Sequence, residues 1–129
     1  MSEPVWINRH ALELLHSESI AEHGGADGLR DEGLFESALA RPQNLHAYEG
    51  VNDVARLAAC YAFGLAKNHA FVDGNKRVAF IAVGLFLYLN GYRLKADQAE
   101  AVLIVLSVAA GSFSENELAE WIRRNARSL

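Results

Sequence analysis

Between Asn52 and Asn68 the apolar side chains Val54, Leu57, Ala58, Tyr61, Ala62, Leu65 and Ala66 fall at offsets of 0, 3, 4, 7, 8, 11 and 12. This is the stripe of an α-helix turning once in about 3.6 residues, and a half-buried strand, which alternates in twos, does not produce it. Such a stripe must be buried against other elements. The flanking sequence supplies them, and they too read as helices.

Asn8 caps a first helix running to about Glu22, with Ala11, Leu12, Leu15 and Ile20 inward, and the pattern stops at His23-Gly24-Gly25. The glycine-rich stretch to Gly28 reads as a loop. Asp31 caps a second helix carrying Leu34, Phe35, Ala38 and Leu39. Pro42 is expected to end it, because its ring removes a hydrogen-bond donor and crowds the preceding turn, so Gln43 to Val51 reads as a connection. A fourth helix runs from Asn75 to about Asn90, apolar nearly all round and therefore expected to be buried on every side, and Gly91 stops it.

Asp97 with Glu100, and Ser114 with Glu117, each place a cap and its partner three residues apart and open a fifth and a sixth helix. The run Val102-Leu103-Ile104-Val105-Leu106 has the composition of a buried strand, yet the cap before it and the alanines up to Gly111 favour a helix. In the sixth helix Leu118, Trp121 and Ile122 face inward, and Arg123, Arg124 and Arg127 complement the C-terminal dipole. The expected fold is all-α: a compact bundle of about six helices forming one domain over residues 1–129. The segment from His69 to Gly74 becomes a loop between two central helices.

Charge and hydropathy narrow the partners. A formal net charge of -4 offers no general attraction for nucleic acid or anionic lipid, so any cationic site must be local and no direct nucleic-acid or membrane partner is expected. The longest apolar run, Val78 to Leu89, falls short of the roughly 17 to 25 residues of a membrane helix, and the N-terminal residues lack the apolar stretch of a secretory signal. These features fit a soluble cytoplasmic protein. The single cysteine, Cys60, lies in the Ala-rich third helix and reads as a core thiol.

The chemistry is concentrated in His69-Ala70-Phe71-Val72-Asp73-Gly74-Asn75-Lys76-Arg77. With a helix starting near Asn75, the backbone N–H groups of Gly74, Asn75, Lys76 and Arg77 belong to its unpaired first turn, which attracts anions. Lys76 and Arg77 stand at the end where the dipole disfavours cations, by a few tenths to about 1 kcal/mol each. A local rule broken without structural gain points to function. An anion held by amides, an ammonium and a guanidinium is most naturally a polyphosphate. Asp73 then suits a Mg2+ ion, which takes one or two carboxylates and completes its shell with phosphate oxygens and water.

Histidine is the side chain whose ordinary pKa lies near neutrality, so His69 suits a general base for a hydroxyl, and the set reads as a phosphoryl- or nucleotidyl-transfer site. The plainer alternative is an Asp-Gly-Asn turn with His69 capping a helix end; it leaves Lys76 and Arg77 unexplained. Phe71 reads as a core anchor. His10, His16, His23 and His46 have no spacing that suggests a metal site.

The segment resembles the Fic/Doc family. Its Fic branch carries His-Pro-Phe-x-Asp/Glu-Gly-Asn-Gly-Arg-x-x-Arg, and its Doc branch His-x-Phe-x-Asp-Gly/Ala-Asn-Lys-Arg. The Doc pattern is the closer one, with Lys76 at the Fic glycine, Phe80 at the second Fic arginine and Ala70 at the Fic proline. Gly28-Leu29-Arg30-Asp31 followed by Ser37-Ala38-Leu39-Ala40-Arg41-Pro42 is similar to the N-terminal part of Doc-like chains.

The resemblance implies a Fic/Doc-like helical fold and the toxin of a toxin-antitoxin pair: a protein kinase transferring the γ-phosphate of ATP to a threonine of translation elongation factor Tu. It makes His69 the base, Asp73 the Mg2+ ligand and Gly74, Asn75, Lys76 and Arg77 the ATP phosphate cradle, with His69, Lys76 and Arg77 catalytic. Many Fic proteins restrain themselves through a Ser/Thr-x-x-x-Glu-Gly/Asn helix, and no Ser here lies four residues before a Glu. Control is therefore expected from an antitoxin whose disordered tail folds as a helix on binding. Transfer of a nucleotide in the Fic manner, and a catalytically silent helical binding module, are the competing readings.

Overall fold

A computed structural model describes residues 3–129. Its elements in chain order are α1 (Arg9–His23), α2 (Glu32–Glu49), α3 (Val54–Asn68), α4 (Asn75–Leu89), β1 (Tyr92–Leu94), α5 (Gln98–Ala109), α6 (Glu115–Asn125) and β2 (Ala126–Ser128). The fold is all-α, a bundle of six helices with one small two-stranded sheet. The predicted stripe makes α3 the central helix, buried from Ala55 to Ala66 except at Arg56 and Phe63, with α2, α4 and α6 packed around it.

The caps act as the sequence predicts. Asn8, Asp31, Asp97 and Ser114 each accept a hydrogen bond from the first turn of the helix that follows, and Asp53, not anticipated from sequence, does the same for α3. The box at Ser114 and Glu117 closes in both directions. At α5 only half of it forms, because the Glu100 carboxylate accepts instead from the indole Nε1 of Trp121 at 2.6 Å and ties α5 to α6.

Four expectations are corrected. Pro42 does not end α2, which continues to Glu49 and stops at the left-handed Gly50. A proline inside a helix costs about 3 kcal/mol, and here burial of its ring and of half-buried Leu45 beyond it offsets that loss. The helix α4 is not buried all round: Phe80, Ile81 and Leu85 are half-buried and Tyr88 is exposed, because α5 leaves part of that face uncovered. Arg123 does more than complement a dipole, since it pairs with Asp53 at the start of α3 and with Glu120. The segments Tyr92–Leu94 and Ala126–Ser128, unanticipated as strands, pair antiparallel with Arg93 opposite Arg127.

Cys60 is buried on α3, as expected. Desolvation pushes its thiol up to about 11, against the opposing pull of the Arg41 cation, so it is a neutral thiol at pH 7. Iodoacetamide is expected to leave the folded protein unlabelled under conditions that label it fully in denaturant. Rapid alkylation of the native protein, read by mass spectrometry, would contradict this packing. No helix of the described residues is long and apolar enough to cross a membrane.

Candidate active site

The end of α3 delivers the chain into the turn. His69 caps that helix with a left-handed backbone (φ 51°), the one non-glycine residue with positive φ among the described residues. Such a conformation is uncommon for a residue with a Cβ and is held only where the surroundings enforce it. They do so through main-chain contacts. The amides of Arg30 and Asp31 donate to Ala70 O at 2.7 and 3.0 Å, and Val72 N donates to Gly28 O at 3.0 Å. The Arg30 guanidinium reaches His69 O at 2.7 Å and Asn68 O at 3.3 Å.

Ala70 and Phe71 are buried, so Phe71 is the core anchor the sequence predicts. The chain re-emerges at Val72 and Asp73 and turns into α4 at Gly74 (φ 74°). A side chain at Gly74 would place Cβ 3.1 Å from Ile20 Cδ1 and 3.3 Å from His16 Nε2, so the left-handed backbone favours glycine and any Cβ there would press on its neighbours. Gly25 plays a similar part from the facing loop, where a Cβ would fall 2.6 Å from Asp73 Oδ2.

His69, Asp73, Gly74, Asn75, Lys76 and Arg77 line one cleft of about 800 Å³. They divide the work unevenly. Asn75 is buried and its side chain grips the turn, with Oδ1 accepting from Phe71 N and Nδ2 donating to Phe71 O, both at 3.0 Å. Gly74 N–H donates to Asp73 Oδ1 at 2.8 Å. The first-turn donors that remain toward the cleft are the amides of Asn75, Lys76 and Arg77. Lys76 is exposed, Arg77 is half-buried with a long 3.4 Å contact from Nη1 to Gly24 O, and neither forms an ion pair among the described residues.

Asp73 is the one carboxylate of the turn. Its Oδ2 accepts from Ala26 N at 3.4 Å, and among the described residues no group of three or more His, Cys, Asp or Glu side chains converges to hold a metal. That donor set suits Mg2+ arriving with a nucleotide, because such an ion needs one carboxylate and takes phosphate oxygens and water for the rest. It does not suit a metal caged by protein alone.

The cleft continues past the turn between α1, which contributes Leu15, Glu18, Ser19 and Glu22, and an apolar wall of Phe80, Ile81, Val102, Val105 and Leu106 from α4 and α5. Two more residues shape the turn: Arg30, which the sequence places in loop structure, and His16, whose part was not read from sequence. Arg30 grips the end of α3 as described, and His16 donates from Nε2 to Asp73 O at 2.7 Å. A signal for His16 existed: it lies four residues from both Leu12 and Ile20, a polar side chain on the buried line of α1.

With that geometry in view, the comparisons with known proteins are specific. Residues 6–87 match the model of the Fic/DOC family. The chain is similar to a protein of Escherichia phage P1 named protein kinase doc, 34% identical over 118 residues that cover 92% of this chain and 93% of that one. It is also similar to a protein of Mycolicibacterium smegmatis named toxin Doc, 47% identical over 88 residues that cover 66% of this chain and 65% of the other. A family match spanning more than half the sequence, joined to a relative aligned over nearly the whole of both chains, leaves one assignment: the chain belongs to the Fic/Doc family.

Proposed function

We propose that the chain is the toxin of a toxin-antitoxin pair, a protein kinase that transfers the γ-phosphate of ATP to a threonine hydroxyl of translation elongation factor Tu and so halts translation in the cytoplasm. The observation that carries this reading is the first turn of α4, where Lys76 and Arg77 stand without ion-pair partners beside free amides, on the cleft that His69 and Asp73 share. The names of the two relatives support the toxin and the kinase parts of it.

In this mechanism the phosphate chain lies against the amides of Asn75, Lys76 and Arg77, with the two cations balancing its charge. Asp73 would hold Mg2+, which supplies neutralisation of phosphate charge. His69 accepts the proton of the attacking hydroxyl as the new O–P bond forms and the bond to the β–γ bridging oxygen breaks, and the nucleoside diphosphate leaves with that electron pair. Phe80 lines the cleft at the place of the second Fic arginine, so the phosphates are held chiefly at the helix start. That seating supports presentation of the γ-phosphorus. The antitoxin's folded tail would lie along the apolar wall formed by α4 and α5, which suits an amphipathic helix.

Incubation of the purified chain with elongation factor Tu, Mg2+ and ATP labelled in turn at the γ and α positions tests the proposal. Label from the γ position alone is the expected result. Label from the α position would replace the kinase reading with nucleotidyl transfer, and no label from either would remove this substrate.

A further inference from the structure

We infer that His16 is a positioning residue for transfer: it fixes the peptide unit on which the Asp73 carboxylate is mounted, an inference that rests on reading the turn as the phosphate site. His16 is 1% exposed, stacks on the Phe71 ring at 3.9 Å between centroids, and meets Asp73 O from Nε2 at 2.7 Å. A carbonyl oxygen only accepts, so Nε2 carries the hydrogen. The other nitrogen faces Asp27 Oδ1 at 3.7 Å, beyond hydrogen-bond reach, and Asp27 is itself held by Ser17 Oγ at 3.0 Å and Gly28 N at 2.8 Å.

Packing alone does not account for a histidine here. An aromatic hydrocarbon ring would fill the same space on Phe71 without burying polar atoms, whose desolvation must be recovered through a hydrogen bond. The bond goes to one particular peptide. Asp73 C=O and Gly74 N–H are the two ends of a single planar unit. His16 holds the first end, and the second donates to Asp73 Oδ1 at 2.8 Å. Rotation of that plane would carry the N–H away and turn the carboxylate with it. His16 therefore aims a carboxylate to which it makes no hydrogen bond of its own, from α1 across the cleft.

Two variants separate the donor from the ring. His16→Phe keeps the stack and removes the donor; His16→Gln removes the ring and keeps an N–H at similar reach. The readouts are kcat and KM for ATP, the Gly74 amide exchange rate by NMR, and the thermal midpoint. In His16→Phe, kcat is expected to fall about 10- to 100-fold with faster Gly74 exchange and a cooperative unfolding transition, and His16→Gln is expected to recover kcat to within about threefold of the natural protein.

Equal losses in both variants, or an unaltered Gly74 exchange rate in His16→Phe, would overturn the inference. So would loss of cooperative unfolding in both, which would make His16 a core residue only. An unmodified chain that transfers nothing from ATP would instead refute the functional reading, and the Gly74 exchange rates would still report whether His16 holds the peptide.

Discussion

Replacement of His69 by alanine is expected to lower the rate of phosphoryl transfer by about 10²- to 10⁴-fold and to leave stability little changed. The separation of the two effects follows from how the residue is built in. What His69 gives the fold is its backbone: the left-handed turn out of α3 and the carbonyl that receives the Arg30 guanidinium. Alanine retains the carbonyl and can adopt the same left-handed backbone at a small extra cost. The exposed imidazole, by contrast, makes no hydrogen bond among the described residues and lines the cleft. Its loss removes a proton acceptor and little else. Single-turnover rates with γ-labelled ATP, beside thermal unfolding of both proteins, check the expectation; an unchanged rate would remove His69 as the base.

Asn75→Ala should show the opposite coupling, with stability and activity falling together. The side chain satisfies Phe71 N–H and C=O inside the protein, and both bonds vanish in the variant. Two buried main-chain groups left without partners correspond to about 2 to 5 kcal/mol, a large share of the stability of a domain this size. Transfer should fall as well, because Phe71 anchors the turn carrying His69 and Asp73. Asn75→Asp retains the acceptor for Phe71 N–H but sets a carboxylate against Phe71 O, so it should lie between the natural protein and alanine. Denaturant midpoints measured with initial rates distinguish this from a purely catalytic role. A variant that lost activity at full stability would place Asn75 on the nucleotide instead of in the frame.

These contrasts mark where the sequence was informative. The apolar period of α3, the caps at Asn8, Asp31, Asp97 and Ser114, and the cations Lys76 and Arg77 at the wrong end of a helix are local patterns, and each survives in the fold. What escaped depends on partners distant in the chain. The passage of α2 through Pro42 depends on what its ring packs against. The pairing of Tyr92–Leu94 with Ala126–Ser128 needs two three-residue segments to meet across α5 and α6. The spacing that placed Asn75 in the cradle gave no sign that its side chain faces back into the loop. His16 was visible as a residue and invisible as a contact, because the carbonyl it serves lies 57 positions away.

The turn's geometry is held almost entirely through main-chain atoms: the carbonyls of His69, Ala70, Phe71 and Asp73 and the amides of Phe71, Val72 and Gly74 all have partners. Most of these partners lie outside the turn, on α1, the Gly28–Asp31 stretch and Asn75. The side chains of His69 and Lys76 take no part in that frame, and Arg77 adds one long contact to Gly24 O. Position 76, where the two branch patterns differ, can therefore change what the helix start presents to a phosphate while the path of the chain stays put.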